Sequence, residues 1–301
     1  PQTVRRLAES GFEPAEKTAL KLGLSYERKP CYICNNIMGQ VVKLAEECLR
    51  VGKDYEYETF QVGCSLPLDF IKREEKLWNL YGLDHSESLK SNLTREIGKC
   101  LQKWTAKTYV PKNPDIVFIV HPLERRVELL VKPLCIYGRY KKLVRGLPQN
   151  PWLAEKDERI KYDTSIEEII SKPLIKLAKG ETAKFHAAGR EDVDVRTLGN
   201  GRPFIVEIKN PRIRSINLEE ATVEINRLGK SLVEVFDLRP VEKRYVARLK
   251  ALAEISRKRY LAYVYFEKPI REEELKSLEE YFNNIVIKQR TPTRVLGRRP
   301  D

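Results

Sequence analysis

Hydrophobic positions recur along this chain with two periods, and each change of period marks a predicted element. Alternation in TFQVGCSL predicts a strand beginning at Thr59. In SESLKSNLTREIGKCLQKW, Leu89, Leu93, Ile97, Cys100 and Trp104 recur at helical spacing, with Asp84 placed to cap and Glu87 three residues on. DIVFIVHP and RRVELLVKPLCIYGRY read as two strands. Past residue 160 the periods alternate again. TSIEEIISKPLIKLAKG is an amphipathic helix, and TAKFHAAG and PFIVEIKNP are strands on either side of a loop. INLEEATVEINRLGK is a helix with Asn217 as cap and Glu220 as its reciprocal partner. SLVEVFDLR and KRYLAYVYFEK read as strands flanking a helix around VEKRYVARLKALAEI. A helix (REEELKSLEEYF) and a short strand (NIVIKQ) follow.

This order predicts an α+β protein in three segments: a polar, helical module over 1–58, a compact α+β unit over 59–150, and a second α+β domain over 151–301. With 301 residues and 42% hydrophobic positions, the chain has enough apolar surface for two cores. No apolar run approaches the roughly 18 residues of a membrane span. The opening PQTVRRLAESGFEP has no apolar core of a secretory signal. It also has no initiator methionine, so we expect the sequence to start inside a longer reading frame.

Charge narrows the partners. Lysine and arginine number 56 against 43 acids, a net +13, and the pI is near 9.4. Such an excess is the footprint of a nucleic-acid partner, because cations release counterions from phosphates. A generic basic surface or an anionic membrane surface are the other readings. A charged fraction of 33% with one methionine fits a hot-living source. The segment GRYKKLVRGLPQNPW sets Arg139, Lys141, Lys142 and Arg145 around Tyr140, a mixture suited to an RNA backbone and stacked bases, or to a solvated linker.

Of six cysteines only Cys31 and Cys34 form a C-x-x-C pair. The other four sit mostly in apolar contexts, as small hydrophobes do, so the expected compartment is reducing and cytoplasmic. CYIC followed by NNIMG looks like one knuckle of a zinc ribbon. A redox dithiol and an incidental pair remain alternatives.

In GREDVDVR, Asp192 and Asp194 lie between Arg190 and Arg196 in a glycine-punctuated loop. Three readings stand: turn chemistry, a D-x-D cation site of a metal-dependent nuclease, or a catalytic carboxylate kept ionised among arginines. Neighbouring arginines repel a divalent cation and suit the third.

AGREDVDVRTLGNGRPFIVEI resembles the catalytic motif of the Pus ten family of archaeal and eukaryotic pseudouridine synthases. GRYKKLVRGLPQNPW resembles the family's junction between a THUMP-like RNA-binding domain and its catalytic domain. RTPTRVLGRRPD resembles its basic loop, and LAESGFEP with CYIC its N-terminal zinc module. The resemblance implies a THUMP-like domain followed by a mixed, largely antiparallel catalytic domain that isomerises uridine in tRNA, at positions 54 and 55 of the TΨC arm. It puts the nucleophile on Asp192, the active-site tyrosine on Tyr260, and Arg190 beside the flipped nucleotide. RNA contacts are expected from Arg139, Lys141, Lys142, Arg145, Arg196, Arg202, Arg290, Arg294, Arg298 and Arg299. It implies no cofactor for catalysis, a structural zinc on Cys31 and Cys34, tRNA as partner, and no membrane. A catalytically silent tRNA-binding or chaperone protein is the rival. Three departures stand out: a second cysteine pair would precede residue 1, Gly297 replaces a histidine, and the family's final strands would follow Asp301.

Overall fold

Two four-stranded sheets carry the architecture. The computed structural model describes residues 1–82, 85–151 and 162–288. The chain divides into a unit of residues 1–255 and a smaller one beginning at Ser256, each taken by itself.

Helices α1 (Gln2–Glu9) and α2 (Glu13–Lys21) share a small core of Ala8, Ala15 and Ala19 with Val4, Leu24 and Tyr26. A knuckle and a 3-10 turn then lead into α3 (Val41–Gly52), whose Leu44, Ala45 and Cys48 join the first large core. This core takes in residues on both sides of 58, so the expected helical module is not separate there.

The first sheet orders its strands β2 (Thr108–Tyr109), β1 (Thr59–Cys64), β3 (Ile116–His121) and β4 (Arg126–Val131). Alternation does what it predicted in β1, where Phe60, Val62 and Cys64 face inward. β1 and β3 are parallel, which demands a crossover, and α4 (Leu68–Tyr81) and α5 (Leu89–Thr105) supply it. In α5 the buried stripe is Leu89, Leu93, Ile97 and Leu101, whereas Trp104 is 42% exposed. Steps of four residues, not the expected turn through Cys100 to Trp104, follow the core. The helix starts later than expected: Ser88 caps it, accepting from Ser91 N–H, and the buried Glu74 carboxylate accepts from Leu89 N–H at 2.5 Å. Asp84 lies outside the described residues.

RRVELLVKPLCIYGRY is two strands, not one. Lys132 and Pro133 end β4, and β5 (Leu134–Lys142) enters the second sheet. Its order is β6 (Thr182–Ala187), β7 (Thr197–Lys209), β5, β8 (Val233–Val241), antiparallel throughout. The sheets thus change near 132, where Pro133 cannot extend a ladder, rather than at the expected boundary of 150. α6 (Ile166–Ala178), capped by Ser165, and α7 (Leu218–Leu228), capped by Asn217, bury Ile170, Leu174 and Ile225 against Ile136, Phe204 and Val206. α8 (Arg244–Ile255) covers part of the other face through Leu249, against Cys135 and Ile205.

In the unit from Ser256, α9 (Glu272–Phe282) forms as expected. KRYLAYVYFEK does not form a strand: its residues are exposed and join no ladder among the described residues. A β-rich pattern needs a partner edge, and none is paired with it. The same holds for 284–288 of the expected NIVIKQ strand. Among the described residues no helix is long and apolar enough to cross a membrane.

Candidate active site

The site is built on the last turn of alternation in β5. Leu134, Ile136, Tyr140 and Lys142 all face the α6–α7 side, so Lys142 continues an inward row and is fully buried. Its ammonium donates to the carbonyls of Leu147 at 2.9 Å, Asp192 at 2.8 Å and Val193 at 3.0 Å. Burial lowers its pKa, while Glu191, Asp192 and Asp194 pull it back up. Gly146 N–H also donates to Val193 O at 2.9 Å, and Val195 N–H closes a turn onto Asp192 O. The backbone of the aspartate loop is therefore fixed from beneath.

Glu191 anchors the same loop by its side chain. It is buried and receives the Tyr140 hydroxyl at 2.8 Å to each carboxylate oxygen and Gln149 Nε2 at 3.0 Å. Arg202 Nε lies 2.9 Å from Glu191 Oε2, an ion pair by distance although its N–H is not directed along that line. Arg202 also donates to Ala188 O at 2.6 Å. Burial, and then the Glu191 charge, push the Tyr140 phenol well above its usual pKa. With Glu191 turned inward, the acids beside it stay at the surface side of the loop: Asp192 is partly exposed and Asp194 exposed.

A bulge closes the wall next to the loop. Tyr140 pairs with Arg202 and Lys142 with Thr197, so Leu198–Gly201 is extra length on β7. The expected TLGNGRP loop is thus the start of a strand. Gly201 has φ +65°, and a Cβ there would lie 2.7 Å from Tyr140 O. Arg139 holds the bulge, donating to Asn200 O at 2.5 Å and Gly201 O at 3.0 Å.

The predicted residues now sort themselves. Lys142 and Tyr140 are buried, and the backbone and Glu191 use their polar atoms. Arg202 is turned to Glu191 and Ala188, and Lys141 to Glu234 at 3.2 Å and the Phe236 ring at 5.2 Å. Arg145, Arg190 and Arg196 are exposed around the loop. Arg190 donates to Asn150 Oδ1 at 2.6 Å, and Asn150 in turn to Glu167 at 2.6 Å. Tyr260 belongs to the other unit, where it is 72% exposed. Arg290, Arg294, Arg298 and Arg299 lie outside the described residues, as does Trp152. A D-x-D cation site finds no support: among the described residues no three His, Cys, Asp or Glu side chains gather as ligands.

Residues 135–301 match the family model described as Pus10, C-terminal, and residues 44–121 the Pus10 THUMP domain, archaeal. The chain belongs to the Pus10 family. A protein of Thermofilum pendens named tRNA pseudouridine synthase Pus10 is 48% identical over 301 residues, all of this chain and 68% of that relative. Proteins of the same name from Pyrococcus furiosus (41%; 94% of this chain, 70% of the relative) and Methanopyrus kandleri (39%; 100% and 71%) are also similar. The Pus10 C-terminal match begins one residue into β5, in keeping with the change of sheet at Pro133.

The Pus10 resemblance also raised zinc. Cys31 and Cys34 do form a knuckle: Cys34 N–H points to Cys31 Sγ at 3.4 Å, and Asn35 and Asn36 turn the chain with φ 44° and 63°. Two thiols are half of a tetrahedral set, and among the described residues no further ligand joins them. The residues present do not by themselves fit the ion. Sequence reading missed Glu191 and Gln149. The signal for the inward Lys142 was there, since it lies on the same parity as Leu134, Ile136 and Tyr140.

Proposed function

We propose that this chain isomerises uridine to pseudouridine in tRNA, with Asp192 as the nucleophile. The observation that carries the reading is the loop anchored by Lys142 and Glu191, which leaves Asp192 partly exposed at its turn, in a chain 48% identical to a relative named tRNA pseudouridine synthase Pus10. The reaction breaks the N1–C1′ glycosidic bond, turns the base and forms a C5–C1′ bond; the C5 proton leaves and N1 gains one, so the product is an isomer. The Asp192 carboxylate adds to the ribose or the base and is released at the end. Exposed Arg190 and Arg196 offer contacts to phosphates around a nucleotide drawn out of its stack. Tyr260 would meet the target base, by stacking or by taking the C5 proton. The TΨC arm, at positions 54 and 55, is the proposed target.

Carbodiimide mapping of an unmodified tRNA transcript after incubation tests both parts. We expect pseudouridine at one or both positions, abolished by Asp192→Asn with tRNA affinity nearly unchanged. Turnover unaffected by that substitution would remove Asp192 from the role. Tight tRNA binding with no pseudouridine at any position would favour the catalytically silent reading.

A further inference from the structure

We propose that a pocket at the seam of the two sheets binds a backbone phosphate of tRNA, a contact apart from the aspartate loop. The proposal rests on the reading that tRNA is the substrate. The pocket measures about 490 Å³ and is lined by Lys132, Arg214, Arg239 and Lys243, with Glu242 and Tyr245. Four cations thus face one acid, and Glu242 is already turned to Arg244 at 2.9 Å.

The cations differ in what else they do. Lys243 is paired with Glu207 at 2.8 Å. Arg214 fastens the seam, donating to Lys132 O at 2.7 Å and lying 3.7 Å from Asp115. Arg239 is exposed and rests on the Tyr137 ring at 4.5 Å, which fixes its plane; among the described residues no carboxylate lies within ion-pair distance of it. Among the described residues the Lys132 ammonium has one long contact, to Asn113 O at 3.4 Å. A guanidinium held flat with its N–H edge unengaged suits a phosphate, which accepts from it in a fork, and the Lys132 ammonium adds a second charge. Tyr245 is 38% exposed, with the Arg248 guanidinium over its ring at 5.2 Å. The walls come from Lys132 and Pro133, between the two sheets, from the start of β5 and from the end of β8.

The test measures binding of an unmodified tRNA transcript across a KCl series, for the protein and for a Lys132→Gln/Arg239→Gln double variant. Both positions carry surface charges outside the cores, and a melting curve checks the fold. We expect affinity to fall about tenfold at fixed salt and the salt slope to drop by about one, as for a lost phosphate contact. Unchanged affinity and slope in the variant would overturn the pocket while leaving the substrate reading intact. No tRNA binding by the unaltered protein would overturn both. Inorganic phosphate at millimolar concentration, added as competitor, separates the sources: an RNA site survives it, and full displacement of the Arg239-dependent part assigns the pocket to free phosphate and overturns the proposal.

Discussion

The Lys142 ammonium donates to the main-chain carbonyl of Asp192 at 2.8 Å, so a buried cation holds the backbone of the proposed nucleophile. Replacing Lys142 with Met would take a charged donor from three carbonyls, leaving Val193 O with Gly146 N–H and Asp192 O with Val195 N–H, and would leave Glu191 with Arg202 as its cation. We expect Lys142→Met to lose about 3–5 kcal/mol of stability and nearly all turnover. Denaturant unfolding beside a pseudouridine assay measures both. A variant as stable and active as the parent would show that the loop stands without this anchor.

Glu191 and Tyr140 should differ in cost. Glu191→Gln removes the charge that faces Arg202 and supports Lys142, whereas Tyr140→Phe removes one of several donors to a carboxylate that keeps Gln149. We expect about 2–4 kcal/mol for the first and about 1–2 kcal/mol for the second. The reverse order in urea midpoints would contradict the network as drawn.

Acid should loosen the seam of the sheets. Burial pushes Glu56 up, but Ser215 and the Arg214 N–H and charge outweigh it and hold the carboxyl below its usual range. Asp115 is likewise lowered against burial, by the N–H groups of Glu58 and Thr59 and by Arg214. Folded pKa values below the unfolded ones mean stability that is complete above the usual carboxylate pKa of about 4 and lost as pH falls through the folded values. Unfolding midpoints measured from pH 7 to pH 3 should decline through that window. Glu56→Gln should start lower at pH 7 and decline less.

Thiol chemistry should single out one position among the cysteines on the knuckle and in the cores. Burial pushes the Cys48 thiol up to about 12 and those of Cys64 and Cys135 up to about 11, whereas Cys31 is exposed. In the native protein a disulfide reagent at pH 8 should modify Cys31 at least about a hundredfold faster than those three. Peptide mapping by mass spectrometry identifies the order, and early labelling of Cys48 would mean that the first core opens readily.

The sequence by itself determined the elements whose pattern is local. The inward rows of β1 and β3 and the cap Asn217 follow from residue types and from covalent geometry repeated every two or 3.6 residues. The aspartate loop was legible too, because its residue types and order form an unusual local motif. Tertiary structure decided what depends on partners far along the chain. β5 looked like the end of one strand until Pro133 and the edges of β7 and β8 drew it into another sheet. KRYLAYVYFEK had the composition of a strand but, among the described residues, no paired edge. Lys142 counted as one more surface cation in a basic run, yet its alternation pointed it inward, where the carbonyls of Leu147, Asp192 and Val193 and the charges of Glu191, Asp192 and Asp194 make that burial tolerable. A charge by itself favours water, and it goes inside only where the groups that fold around it replace that solvation.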